Sequence, residues 1–291
     1  MPALKILPCL DSPQAAEFLK QALEVPRDLA ARQGHEAVDA IRDGFYVAAS
    51  GAKVDWSSAV RACVEVKVSV SPDAPLPKPG PARFVETQVE VANETTFSGA
   101  SRLVAEGFRP LALNFANGIS PGGGFLSGAR AQEEALCRSS ALFATLEGDA
   151  MYKAHSQRPK GYDSTDWAIL SPSVQVFRSN DGKPLDRFWI LDFISSAAPV
   201  AKRVGKPESA RIMETRIRRI LAIARAYGHE ALVLGAWGCG AFGNDGLETA
   251  RTFRAALEGE FAGAFAKVVF SVTDWSTERS FLGPFRDTFR D

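Results

Sequence analysis

The chain has 291 residues, 46% of them hydrophobic and 23% charged, enough for one large domain or two modest ones with a sizeable core. Lys plus Arg equals Asp plus Glu at 34 each, so no global field draws polyanions, sequence-specific nucleic-acid binding is not expected, and any phosphate contact has to be local. Four widely spaced cysteines, Cys9, Cys63, Cys137 and Cys239, argue for reduced thiols, and with no leader-like start or long apolar run a cytoplasmic address away from membranes is expected. Residues 12–43 carry helical spacing on either side of Pro26, as in Ala15, Phe18, Leu19 and Ala22. Residues 45–70, FYVAASGAKVDWSSAVRACVEVKVSV, read as two extended runs around a Ser-Gly turn. Five prolines between positions 72 and 81 exclude helix and interior strand. They mark a boundary between an N-terminal α+β accessory segment, 1–83, and a main domain, 84–291.

The main domain is rhythmic. FVETQVEVA is extended, TTFSGASRLVAEG helical, RPLALNFA extended, AQEEALCRSSALFATLEG helical and RFWILDFI extended. SARIMETRIRRILAIARAYG, helical, then precedes the strand EALVLGA, the helix GLETARTFRAALEGEF and the strand KVVFSVTD. Short apolar runs such as ALVLG, buried on both faces and alternating with amphipathic helices, predict an α/β sheet sandwiched between helices. In such sheets ligands bind beyond the carboxyl ends of the strands, which directs attention to the loops that follow them.

Two of these loops stand out. NFANGISPGGGFLSGARAQEE leads from a strand into a helix that opens near Gln132, and Gly122, Gly123 and Gly124 let bare backbone approach an anion. Asn117 either bonds a ribose hydroxyl or caps a turn. Glu133 and Glu134 fall in the first helical turn, where acidic residues are favoured by the helix dipole, so a general acid there needs burial or its neighbour's repulsion to raise its pKa. Adjacent helical residues point about 100° apart, so the two do not straddle a sugar like paired glycosidase carboxylates and one must perform both proton transfers. The second loop, GAWGCGAFGNDG at 235–246, has five glycines in twelve residues and leads into the helix after Asp245. Within it Phe242 is either an aromatic lid or a core residue.

Other schemes lack support. There is no GxxxxGK[ST], GCGAFG comes too late for a dinucleotide fingerprint, and Pro121 spoils GISPG as a nucleophile elbow. His35, His155 and His229 lack metal-hydrolase spacing, so neither metal nor cofactor is expected.

NFAN, then GGG, seven residues and QEE, followed by GCGAFGN at 238–244, resemble the bacterial-type poly(ADP-ribose) glycohydrolases, whose catalytic core is a macrodomain. The resemblance implies a macrodomain-like three-layer α/β/α fold with a mixed central sheet, and hydrolysis of ribose–ribose O-glycosidic bonds from polymer ends. Poly(ADP-ribose) or ADP-ribosylated protein would be the partner and ADP-ribose the product. It further implies that Glu134 is the acid/base and that Glu133 orients the ribose hydroxyls. Gln132 and Asn117 would also contact substrate, Gly122 to Gly124 would hold diphosphate and ribose, and Gly238, Cys239, Gly240, Ala241 and Phe242 would close over the diphosphate. By analogy with macrodomains generally, Glu94 meets the adenine amine. Where the animal enzymes place a base-stacking aromatic, this chain has Val272, with Phe270 and Trp275 out of register. A mono-ADP-ribosyl hydrolase and a non-catalytic ADP-ribose reader are the alternatives.

Overall fold

A computed structural model describes residues 2–77, 81–159 and 162–290, so positions 78–80 of the proline-rich stretch lie outside the described residues. The N-terminal part runs β1 (Ala3–Ile6), α1 (Pro13–Leu23), α2 (Arg27–Asp43), β2 (Phe45–Val47), β3 (Lys53–Asp55), α3 (Ser57–Glu65) and β4 (Val68–Val70). β5 (Glu86–Ala92), α4 (Thr96–Ala105), β6 (Pro110–Ala116), α5 (Gln132–Ser139), α6 (Leu142–Leu146) and α7 (Ala150–Ser156) follow. β7 (Ala168–Arg178), β8 (Pro184–Ala197), α8 (Ala201–Val204), α9 (Lys206–Ala226), β9 (Ala231–Leu234), α10 (Gly246–Glu258), β10 (Lys267–Ser271) and α11 (Leu282–Thr288) complete the order.

Eight strands form one sheet in the order β1-β5-β10-β9-β6-β8-β7-β4. From β1 to β8 every neighbouring pair is parallel, while β7 runs antiparallel to both β8 and β4. β9 shows why an uninterrupted apolar run suits the centre: Leu232 and Leu234 enter the core shared with α9, α10 and α11, whereas Ala231 and Val233 enter the core on the opposite face. The second core holds an aromatic cluster of Tyr46, Trp56 and Phe177, with centroids 4.9 to 5.1 Å apart, and Trp56 Nε1 donates to Ala40 O at 2.9 Å.

The segment expected to be accessory is built into this sheet. β1 pairs with β5 from Ala3↔Glu86, β4 pairs with β7 from Val68↔Leu170, and the two close opposite edges. α2 buries Ala30, Gly34, Ala37 and Ala40 at helical spacing. A Cβ at Gly34 would sit 2.7 Å from Phe125 O, so the glycine is what lets α2 lie directly against the loop before α5.

Two expectations need correction. Residues 45–70 are a β2–β3 hairpin, the helix α3 and the short β4, not two extended runs, because Val60 and Cys63 share one buried helical face and Asp55 Oδ1 accepts the Ser57 N–H at 2.9 Å. The stretch AQEEALCRSSALFATLEG is two helices. Ser140 adopts φ −146°, donates its hydroxyl to Leu136 O at 2.8 Å and bridges to Val176, the kind of local competition that makes serine a poor helix-interior residue.

A chain beginning at residue 84 should therefore fail to give the cooperative thermal transition of the full chain, since it lacks both edge strands and α2. Circular dichroism melts of the two proteins, with soluble yield, check this.

Candidate active site

The carboxyl ends of β5, β6, β9 and β10 open into one cleft of about 580 Å³, and the residues that follow each strand line it. β6 outruns its neighbour β9, whose pairing stops at Ala112, which leaves later backbone groups needing partners. Gln132 supplies them: its Oε1 accepts from Phe115 N at 2.9 Å, and its Nε2 donates to Leu113 O at 2.7 Å and to Thr96 Oγ1 at 3.1 Å. Gln132, expected to contact substrate, lines the cleft, and its amide splices the start of α5 onto β6.

That splice sets the two carboxyls. Glu133 is 4% exposed; its Oε2 accepts the Asn117 N–H at 2.7 Å and its Oε1 the Asn114 Nδ2 at 3.3 Å. Burial is the largest influence on it, and despite those donors it pushes the carboxyl up to about 8, helped by the charge of Glu134. Glu134 accepts the Gly124 N–H at 3.0 Å through Oε1, while its Oε2 is buried without a hydrogen-bond partner among the described residues. Gly123 lies between them at φ +59°, where a Cβ would overlap Glu134 Oε1 and stand 3.1 Å from Glu133 Oε2. Gly123 thus makes room for the carboxyls, and the Gly123 and Gly124 N–H groups go to Ser120 O and to Glu134; Gly122, Gly123 and Gly124, expected to hold diphosphate and ribose, are not among the residues that line the cleft.

Asn117 caps its turn, its Oδ1 accepting from Ile119 N at 2.9 Å and Ser120 N at 3.0 Å, and it also lines the cleft. In the second loop Gly238, Gly240, Ala241 and Phe242 line the cleft. Asn244 Nδ2 fixes this loop by donating to Pro199 O at 2.8 Å and Gly238 O at 3.0 Å. Cys239 departs from expectation. It is not part of the cleft lining; its thiol bonds Trp237 O at 3.5 Å, and burial pushes it up to about 11, as befits a thiol turned into the protein. Phe242 packs partly on the α9–α11 core and partly lines the cleft.

Glu94 also lines the cleft, held by Arg102 at 2.8 and 3.0 Å and by the Ser271 hydroxyl at 3.2 Å. Phe270 belongs to the core with Phe285 and Phe289, but Trp275 and Phe281, 38% and 42% exposed, bring aromatic surface to the cleft beside Val272. Sequence reasoning missed several other contributors. Ala22, Leu23 and Val25 from the N-terminal segment form part of the wall, and buried Arg138 lies one turn beyond Glu134. Nothing local marks the wall residues. Asn114 had a signal, a polar residue inside the apolar strand PLALNFA.

Residues 34–179 match the family described as microbial-type PARG, catalytic domain. The poly(ADP-ribose) glycohydrolase of Thermomonospora curvata is 37% identical, with 90% of this chain and 98% of that one aligned at a TM-score of 0.79, and the same protein bound to the inhibitor ADP-HPD aligns equally well. The Deinococcus radiodurans poly(ADP-ribose) glycohydrolase in complex with ADP-ribose is also 37% identical over 79% of this chain and 97% of that one, with a TM-score of 0.73. No curated protein matches the chain.

Two outcomes follow from the carboxyl geometry. Gly123→Ala should abolish most turnover and cost about 1–3 kcal/mol of stability, because the new Cβ displaces Glu134 and sits at positive φ; kinetics and a denaturant titration measure each. A carboxyl raised from 4.5 to about 8 favours the folded state while protonated, so wild-type stability should fall as pH rises from about 5 through about 8. Glu133→Gln should lack that fall, which denaturant midpoints at several pH values test.

Proposed function

The chain belongs to the microbial-type poly(ADP-ribose) glycohydrolase family, and from that premise we propose that it cleaves ribose–ribose O-glycosidic bonds at poly(ADP-ribose) ends and releases ADP-ribose. The observation that carries this reading is Glu134, which lines the cleft with one oxygen pinned by Gly124 N–H and the other without a partner among the described residues. Glu134 Oε2 donates a proton to the bridging ribose oxygen as the anomeric carbon gains oxocarbenium character. The resulting carboxylate then takes a proton from the attacking water, which completes hydrolysis with one residue serving as acid and base.

Glu133 orients the terminal ribose hydroxyls together with Asn117 Nδ2. Although Glu133 has the raised pKa, we assign proton transfer to Glu134, because both Glu133 oxygens already accept hydrogen bonds from Asn117 and Asn114. Burial raises the Glu133 carboxyl to about 8, which brings a proton into the site at neutral pH. Backbone N–H groups of the second loop, among Gly238, Gly240, Ala241 and Phe242, hold the diphosphate, Phe242 covers the ribose, and Glu94 accepts from the adenine amine. The diphosphate itself lies near the developing cation and stabilises it. These steps use no metal. Four free thiols, two of them buried, suit a reducing cytoplasmic setting.

Glu134→Gln should bind ADP-ribose with near-normal affinity and lose at least about 10²–10⁴-fold in polymer cleavage. Calorimetry and a chain-length gel on one preparation test both halves. Wild-type protein incubated with poly(ADP-ribose) and with mono-ADP-ribosylated protein, with free ADP-ribose followed by chromatography, should favour the polymer. Release from the mono-modified protein alone, or binding without turnover, would support the two alternatives instead. Excess EDTA should leave the rate unchanged.

A further inference from the structure

His155, at the end of α7, is fully buried and lies behind the cleft, outside its lining. Its Nδ1 is 2.8 Å from Gly118 O, while its Nε2 is 3.1 Å from the Thr165 N–H and 2.7 Å from the Thr165 hydroxyl. A carbonyl only accepts and a backbone N–H only donates. Nδ1 therefore carries the proton and Nε2 a lone pair, so the surroundings select one neutral tautomer.

Gly118 directly follows Asn117, whose N–H is accepted by Glu133 and whose Oδ1 caps the next turn. The rest of its surroundings clamp Gly118. Ser164, held at φ +52°, and Ala197 occupy the space a Cβ there would need. Buried Arg216 of α9 secures both neighbours, donating to Ala197 O at 2.7 Å and to Asp163 O and pairing with Asp166 at 3.2 Å. Hydrogen bonds thus run from Thr165 through His155 to Gly118, and one residue earlier in the chain to the carboxyl beside Glu134.

We propose that His155 is a positioning residue: its Nδ1–H holds the Gly118 carbonyl and thereby fixes Asn117 and Glu133 in the geometry that receives the terminal ribose. This rests on the reading of Asn117 and Glu133 as ribose-binding groups. A second proton on the ring would have to sit at Nε2, facing the Thr165 N–H. Burial, the strongest influence, and the charges of Arg216 and Arg158 oppose that proton, while the Gly118 carbonyl and Asp163 favour it, and the net effect lowers the histidine below its ordinary value. The neutral ring's contribution is thus present above about pH 6.5 and is lost as pH falls through the lower folded value.

A matched pair of variants tests the proposal. In His155→Asn the side-chain Nδ2 takes the place of Nδ1 and can still donate to Gly118 O. In His155→Gln the amide reaches only toward Thr165. Melting temperatures report any general loss of folding, and calorimetry with ADP-ribose reads the site without depending on cleavage. His155→Asn should keep ADP-ribose affinity and kcat within about threefold of wild type, and its activity should persist to lower pH. His155→Gln, at similar melting temperature, should lose about tenfold or more in both, the scale of one buried hydrogen bond. Equal affinities and rates in the two variants, or losses that simply track melting temperature, would overturn the proposal. Failure of the glycohydrolase reading would show separately, as wild-type protein that binds ADP-ribose and leaves poly(ADP-ribose) uncleaved.

Discussion

The structure turns on a single close approach, that of the Gly123 backbone to the Glu134 carboxyl. A carboxyl taken out of water needs a donor, and here it is the main-chain N–H of Gly124, brought near because Gly123 carries no Cβ. Much of the surrounding fold serves that contact. Gln132 fixes the first turn of α5 by completing the free edge of β6, and Gly34 lets α2 press on Phe125 just beyond the triplet. The site resembles a joint between a strand end and a helix start, held from behind by a second helix.

The central part of the sheet was legible in the sequence for a local reason. Runs such as ALVLG are apolar at every position, which suits a strand covered on both faces, and the helices between them show one-sided spacing. The edges were not. β1 is only four residues long with an alternating exposure pattern, and β7 is interrupted where Pro172 and Ser173 force a register shift, Ser173 standing at φ +58°. α3 was hidden among β-branched neighbours that read as strand.

The same division applies to the site. QEE, the glycine triplet and GCGAF are contiguous, so their spacing carried information; QEE and all of GCGAF but Cys239 line the cleft, while the triplet sits behind the two carboxyls. Residues that act from a distance carried none. Leu23 and Val25 reach the cleft only because β1 and α2 are anchored elsewhere, and the partners of His155 at Gly118 and Thr165 lie 37 and 10 residues away. A balanced net charge concealed the local arrangement too, since a sum over the chain does not show that Glu90 and Glu94 share Arg102.

The placement of β1 and β4 at opposite edges bears on how the chain assembles during synthesis. Both strands emerge before any partner exists: β1 must wait for β5, more than eighty positions later, and β4 for β7, about a hundred positions later. Until then the nascent chain displays two unsatisfied strand edges and the apolar stripe of α2, surfaces that invite association with other chains. Such long sequence separations slow the search for native pairing, so this fold gains its closed cleft wall at the expense of a vulnerable interval on the ribosome.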